Sequence, residues 1–81
     1  MQEEIFNKIA KFIATNNDIP VENITMDSTF EALGMDSLDG LALVDDLEHE
    51  YNISIPNKEA MKIRSVRETV ESLERLVIVQ P

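Results

Sequence analysis

Three stretches of this chain space their apolar residues three and four positions apart. Ile5, Ile9, Phe12 and Ile13 form the first set, and Leu43, Leu47 and Tyr51 the second, with Val44 beside them. Val66, Val70 and Leu73, followed by Leu76 or Val77, form the third. An α-helix turns once in about 3.6 residues, so each set falls on one face of a helix. Chains with such stripes bury them helix against helix. Only two glycines and three prolines punctuate the 81 residues, too few for a many-turned all-β fold. The expected fold class is all-α: a small four-helix bundle, three main helices and one short, with a long ordered loop between helices 1 and 2. At this length residues 1–81 make a single domain.

The boundaries follow from local chemistry. Glu3 and Glu4 in the first turn and Lys11 nearer the end suit the dipole of helix 1. Asn16-Asn17-Asp18 ends that helix, and Ile19-Pro20 reinforces the break. Residues 17–36 form a long connection, whose Ile19, Val21, Ile24, Met26, Phe30 and Leu33 are expected to pin it to the core. Gly34 reads as a left-handed residue closing a turn. Asp36 is a good N-cap, Asp39 adds a second carboxylate, and helix 2 is expected to reach about Tyr51. Leu38 and Leu41 fall off its buried stripe. Ile53-Ser54-Ile55-Pro56 reads as an extended connector, with Asn57 capping a short helix from Lys58 to Lys62. Ser65 and Glu68 have capping-box spacing at the head of the last helix. Val77-Ile78-Val79 is either that helix's end or a tail laid on the bundle.

Charge narrows the partners. Sixteen acids against seven bases leave a net charge of −9. That balance repels phosphate backbones and anionic bilayers, so neither nucleic acid nor membrane is an expected partner. Ten acids lie between Lys11 and Lys58 with no Lys or Arg among them. One reading is solubility. The sharper one is a docking face for basic partners, held by weak, salt-sensitive contacts. No apolar run nears the ~20 residues that span a bilayer, and Met1-Gln2-Glu3-Glu4 lacks a basic leader region. A cytoplasmic monomer is the expectation.

Catalytic templates fail. With no cysteine and one histidine, His49, the chain has neither a disulfide nor a His/Cys metal site. Asp36 precedes Ser37, so there is no nucleophile elbow. On one helix Ser37 and His49 would stand about 18 Å apart, beyond hydrogen-bonding reach. Asp36-Ser37-Leu38-Asp39-Gly40 has Leu38 where a calcium loop needs Asp or Asn. What remains is Ser37, a hydroxyl in the first turn of a helix, where free N–H groups tolerate a phosphate. An ordinary helix-start serine would look the same.

Phe30-Glu31-Ala32-Leu33-Gly34-Met35-Asp36-Ser37-Leu38-Asp39 resembles the prosthetic-group attachment motif of acyl carrier proteins, whose kernel is Asp-Ser-Leu. The acidic helix ending Leu47-Glu48-His49-Glu50-Tyr51, then Ile55-Pro56, Ala60, Lys62-Ile63 and Val66, agrees in order and spacing. The resemblance spans roughly Glu3 to Leu76. It implies a carrier and not an enzyme, with Ser37, flanked by Asp36 and Leu38, holding 4'-phosphopantetheine from coenzyme A. The arm's thiol would carry acyl groups as thioesters in fatty-acid, polyketide or a specialised acyl pathway. The implied partners are a phosphopantetheinyl transferase and acyl-processing enzymes with basic docking patches, met by Asp36, Asp39, Leu41, Asp45, Glu48 and Glu50. Val44, Leu47, Ile55, Ala60, Met61 and Ile63 would wall the acyl chain, or serve simply as core. An aminoacyl or peptidyl carrier, or an unloaded acidic interaction module, are the alternatives.

Several positions depart from typical fatty-acid carriers. Gly40 stands where a β-branched or larger residue is usual, Ala42 where an acid is, Asp45 where an apolar contact residue is, and Met61 where a polar one is. These changes rewrite the expected docking face and point to a dedicated pathway.

Overall fold

The computed structural model describes the backbone of residues 2–79 and the side chains of residues 2–77. Met1, Gln80 and Pro81, which the single-domain reading includes, lie outside the described residues, as do the side chains of Ile78 and Val79. The helices are α1 (Gln2–Asn17), α2 (Ser37–Tyr51), α3 (Asn57–Lys62) and α4 (Val66–Val79). The all-α class and the count of three main helices and one short one are as the stripes require.

The first and third stripes meet. Ile5, Ile9, Ala10 and Ile13 of α1 are buried, as are Val66, Val70 and Leu73 of α4, and α1 packs most extensively on α4. The second stripe adds Leu43 and Leu47, with Val44 and Tyr51 only half-buried at its margin. Complete burial of a Leu, Ile or Val side chain stabilises by roughly 1.5–3 kcal/mol, so the eight such residues here carry much of the fold. Asp18, in the left-handed region at φ 55°, ends α1, and the Ile19 N–H donates to the Ala14 carbonyl at 3.2 Å.

The long loop is ordered by backbone hydrogen bonds as well as apolar anchors. Ile24 is buried, and Ile19, Met26, Phe30 and Leu33 pack half-buried on the core. Val21 is the correction: it is 52% exposed. It opens a 3-10 turn, Val21–Asn23, that leads into Ile24, and Ile24 takes the inward place. The Phe30 N–H donates to the Arg64 carbonyl, and the N–H groups of Val66 and Arg67 donate to the carbonyls of Ser28 and Met26, all at 3.0 Å. An Arg67–Asp27 ion pair at 2.8 Å reinforces this seam. Gly34 has φ +77°, the left-handed conformation that residues with a Cβ rarely adopt.

α3 starts at Asn57, which is its first residue and not its cap; Pro56 holds the cap position and no side chain caps the helix. No α3 residue is fully buried. Half-buried Ala60 packs on the core, and Glu59 accepts hydrogen bonds from Arg75 at 3.1 Å and Ser72 at 3.4 Å on α4. Ser65 accepts from the Glu68 N–H at 3.2 Å, as a capping box requires. The Glu68 carboxylate returns the bond one residue early, to the Arg64 N–H at 3.1 Å. Val77-Ile78-Val79 resolves as the end of α4.

Candidate functional site

The head of α2 is built by two carboxylates. The extended backbone of Asp36 lets its Oδ1 accept from the Asp39 N–H at 2.9 Å, while Asp39 Oδ2 accepts from the Asp36 N–H at 3.2 Å. This reciprocal box fixes the turn that presents Ser37, the first residue of α2. The Ser37 side chain is exposed, and its hydroxyl has no hydrogen-bond partner among the described residues. Three other serines are committed: Ser28 to Thr25, Ser65 to the α4 cap and Ser72 to Glu59. Ser54 is exposed in the connector.

Ser37 stands at the edge of an open groove of about 920 Å³ between α2, α3 and the long loop. From α2 come Ser37, Gly40, Leu41 and Val44, spaced i, i+3, i+4 and i+7 on one helical stripe. Ala60, Met61 and Ile63 form the facing wall, and Phe30 and Met35 the loop side. Of the six residues expected to wall a cargo, Val44, Ala60, Met61 and Ile63 line this groove. It does not reach Leu47, which is fully buried, or Ile55, which is 7% exposed; both sit in the core. Phe30, Met35, Gly40 and Arg64 line it without having been singled out for it, and Leu41 was expected only on the partner face. Helical spacing from Ser37 could have found Gly40 and Leu41. Phe30 and Met35 arrive through a turn in which the Met35 N–H donates to the Phe30 carbonyl at 2.9 Å, and no pattern in the sequence marks that.

The acids expected to face partners are largely occupied within the molecule. Asp39 is in the cap, and Glu48 accepts from the Ile55 N–H at 2.7 Å, fixing the connector into α3. Glu50 pairs with Lys8 of α1. Asp45 lies 3.9 Å from His49, whose Nδ1 is 3.0 Å from the Asp45 carbonyl. That hydrogen bond, with the Asp45 carboxylate behind it, raises the His49 pKa above its usual 6.5. Burial raises the Tyr51 phenol. Leu38, Leu41 and Met61 are 74%, 62% and 77% exposed, and Leu41 and Met61 stand on the two sides of the groove, on α2 and α3. Among the described residues no cluster of three His, Cys, Asp or Glu side chains could hold a metal, and no helix is long and apolar enough to cross a membrane.

Comparison with known proteins bears on this arrangement. The profile of the family described as "Phosphopantetheine attachment site" matches residues 7–73. The acyl carrier protein of Lactobacillus johnsonii is 42% identical over 74 residues, covering 90% of this chain and 92% of its own. That of Treponema denticola is 37% identical over 89% of this chain and 94% of its own, and that of Rickettsia bellii 36% over 89% and 85%. The crystal structure of the acyl carrier protein from Thermotoga maritima superposes with a TM-score of 0.84 at 25% identity, covering 95% of this chain and 91% of that one. The chain therefore belongs to the acyl carrier protein family: it is a carrier and not an enzyme, it bears covalent 4'-phosphopantetheine, and it works with a phosphopantetheinyl transferase and acyl-processing enzymes.

Proposed function

We propose that Ser37 is the attachment point and that the neighbouring groove receives the acyl group. The observation that carries this is a single juxtaposition: an exposed hydroxyl without a hydrogen-bond partner among the described residues, next to the capping box and lining the groove. In loading, the Ser37 oxygen bonds to the diphosphate phosphorus on the pantetheine side of coenzyme A. The nucleotide half leaves, and the hydroxyl proton passes to the transferase. The arm supplies a thiol for thioester chemistry, which a chain without cysteine cannot supply itself. Asp36 and Asp39 keep Ser37 at a fixed turn, and Leu38 projects beside it as an apolar contact for the transferase.

Val44, Ala60, Met61 and Ile63, with Phe30 and Met35, give the acyl chain an apolar surface. Each methylene withdrawn from water is worth about 0.8 kcal/mol, so longer cargoes raise the melting temperature if they lie there. Leu41 and the acids Asp39, Asp45, Glu48 and Glu50, spread round α2, meet basic patches on partner enzymes. Because several of these acids are already paired, the contacts are weak and screened by salt, as a shuttle acting as a cytoplasmic monomer requires.

Intact-mass measurement after incubation with coenzyme A and a broad-specificity phosphopantetheinyl transferase tests the attachment. Wild type gains one arm and Ser37→Ala gains none. An unchanged wild-type mass, or a gain on the variant, overturns the assignment.

A further inference from the structure

We propose that Gly40 sets the thickness of cargo the groove admits, and that the acyl group carried has a branch or ring where it passes α2. The inference rests on the reading that Ser37 bears the arm and the groove holds its acyl group. Gly40 is the fourth residue of α2, inside the helix, where glycine is the poorest choice after proline. The usual reasons for a glycine are missing. Positive φ belongs to Gly34 and not to Gly40. A Cβ built at Gly40 meets no atom of the other packed elements within 4 Å among the described residues, so none of them needs the space. What borders that space is the groove, which Gly40 lines while half-buried.

Its place on the helix says what uses the room. Ser37, Gly40 and Val44 follow one another along the groove stripe, so a group tethered at Ser37 passes Gly40 before it reaches Val44. A slender straight chain passes a methyl or a hydroxyl without difficulty, and removing the whole side chain matters only for something wider. A partner's side chain is a poorer candidate for the space. Leu41, which lines the same groove and is far more exposed than Gly40, would meet a partner first.

The test loads wild type, Gly40→Ala and Gly40→Val with a straight acyl chain and with a branched or aromatic one of equal carbon number. Intact mass counts the loaded fraction, and circular dichroism checks the fold. The rate of hydroxylamine cleavage of the thioester then reads how well each cargo is covered. Wild type protects both cargoes relative to the free acyl-pantetheine thioester. Gly40→Val still protects the straight chain but loses the wide one, which is cleaved several-fold faster, and Gly40→Ala falls between. Equal protection of both cargoes in Gly40→Val, or a wide cargo as exposed in wild type as in free solution, overturns this inference alone. No mass gain on Ser37 overturns the tether reading, and this inference with it.

Discussion

The two halves of this molecule use their helices differently. In the α1–α4 half, Ile5, Ile9, Ile13, Val66, Val70 and Leu73 are sealed from solvent, and even the polar Thr69 and Ser72 between them are buried and hydrogen-bonded. In the α2–α3 half, α2 buries only Leu43 and Leu47, α3 buries nothing completely, and the large side chains of Leu38, Leu41 and Met61 stand in water. The first half stabilises the fold. The second is left unfinished, and the space that closer packing would have filled is the groove beside Ser37. A well-packed interior holds no vacant space, so the proposed cargo site depends on this division.

Truncations should separate the halves most sharply. Leu73→Ala removes a sealed side chain and should destabilise by about 2–5 kcal/mol, read as a lower denaturant midpoint. Met61→Ala, at 77% exposure, should stay within about 0.5 kcal/mol of wild type. Comparable losses at the two positions would erase the contrast.

The cap comes next. Asp36→Ala removes the acceptor for the Asp39 N–H and should cost about 1 kcal/mol. Asp36→Asn keeps an acceptor and should recover most of it. Because the cap also fixes the turn at Ser37, transferase loading should slow in Asp36→Ala while the core is unaffected. An alanine variant as stable as wild type would show that the box does not hold the helix start.

Gly40→Ala works in the opposite direction. A methyl there meets nothing, so the gain in helix propensity should appear undiminished, about 0.8–1 kcal/mol. The unloaded protein should melt higher by several degrees. A lower melting temperature would mean that the helix needs glycine for a reason the groove does not explain.

Much of this was legible from sequence because it is local. The stripes through Ile5, Leu43 and Val66 gave the helices, Asp36 and Ser65 gave caps, and Gly34 gave a left-handed turn. Ser37 stood out by position and by its neighbours. What stayed hidden depends on residues distant in sequence. The seam between residues 26–30 and 64–67 is made of backbone hydrogen bonds, which carry no side-chain signature. Whether Leu47 and Ile55 wall a cargo or belong to the core does not show in sequence, because an apolar residue in a core and one lining a groove look alike until the facing helix is in place. Glu48 and Glu50 read as partner-facing acids, yet they bind the backbone of Ile55 and Lys8, which only the fold brings near.

The smallest effect expected is electrostatic, in the last turn of α2. His49 is exposed, and its pKa is raised first by the hydrogen bond to the Asp45 carbonyl and then by the Asp45 carboxylate. A folded-state pKa above the unfolded value means that the protonated ring favours the fold. That contribution is fully present below about pH 6.5, the ordinary histidine value, and disappears as pH rises through the higher folded-state value. The sign is what a cation near a helix C-terminus should give. In His49→Gln the pH dependence over this window should flatten. The melting temperatures of wild type and variant should differ most below about pH 6.5 and converge as pH rises through the folded-state value. A gap that widens with rising pH would reverse the sign and rule out the Asp45 contact as its cause. A change in core packing would shift both ends of the pH range together, so this measurement probes the α2–α3 half alone.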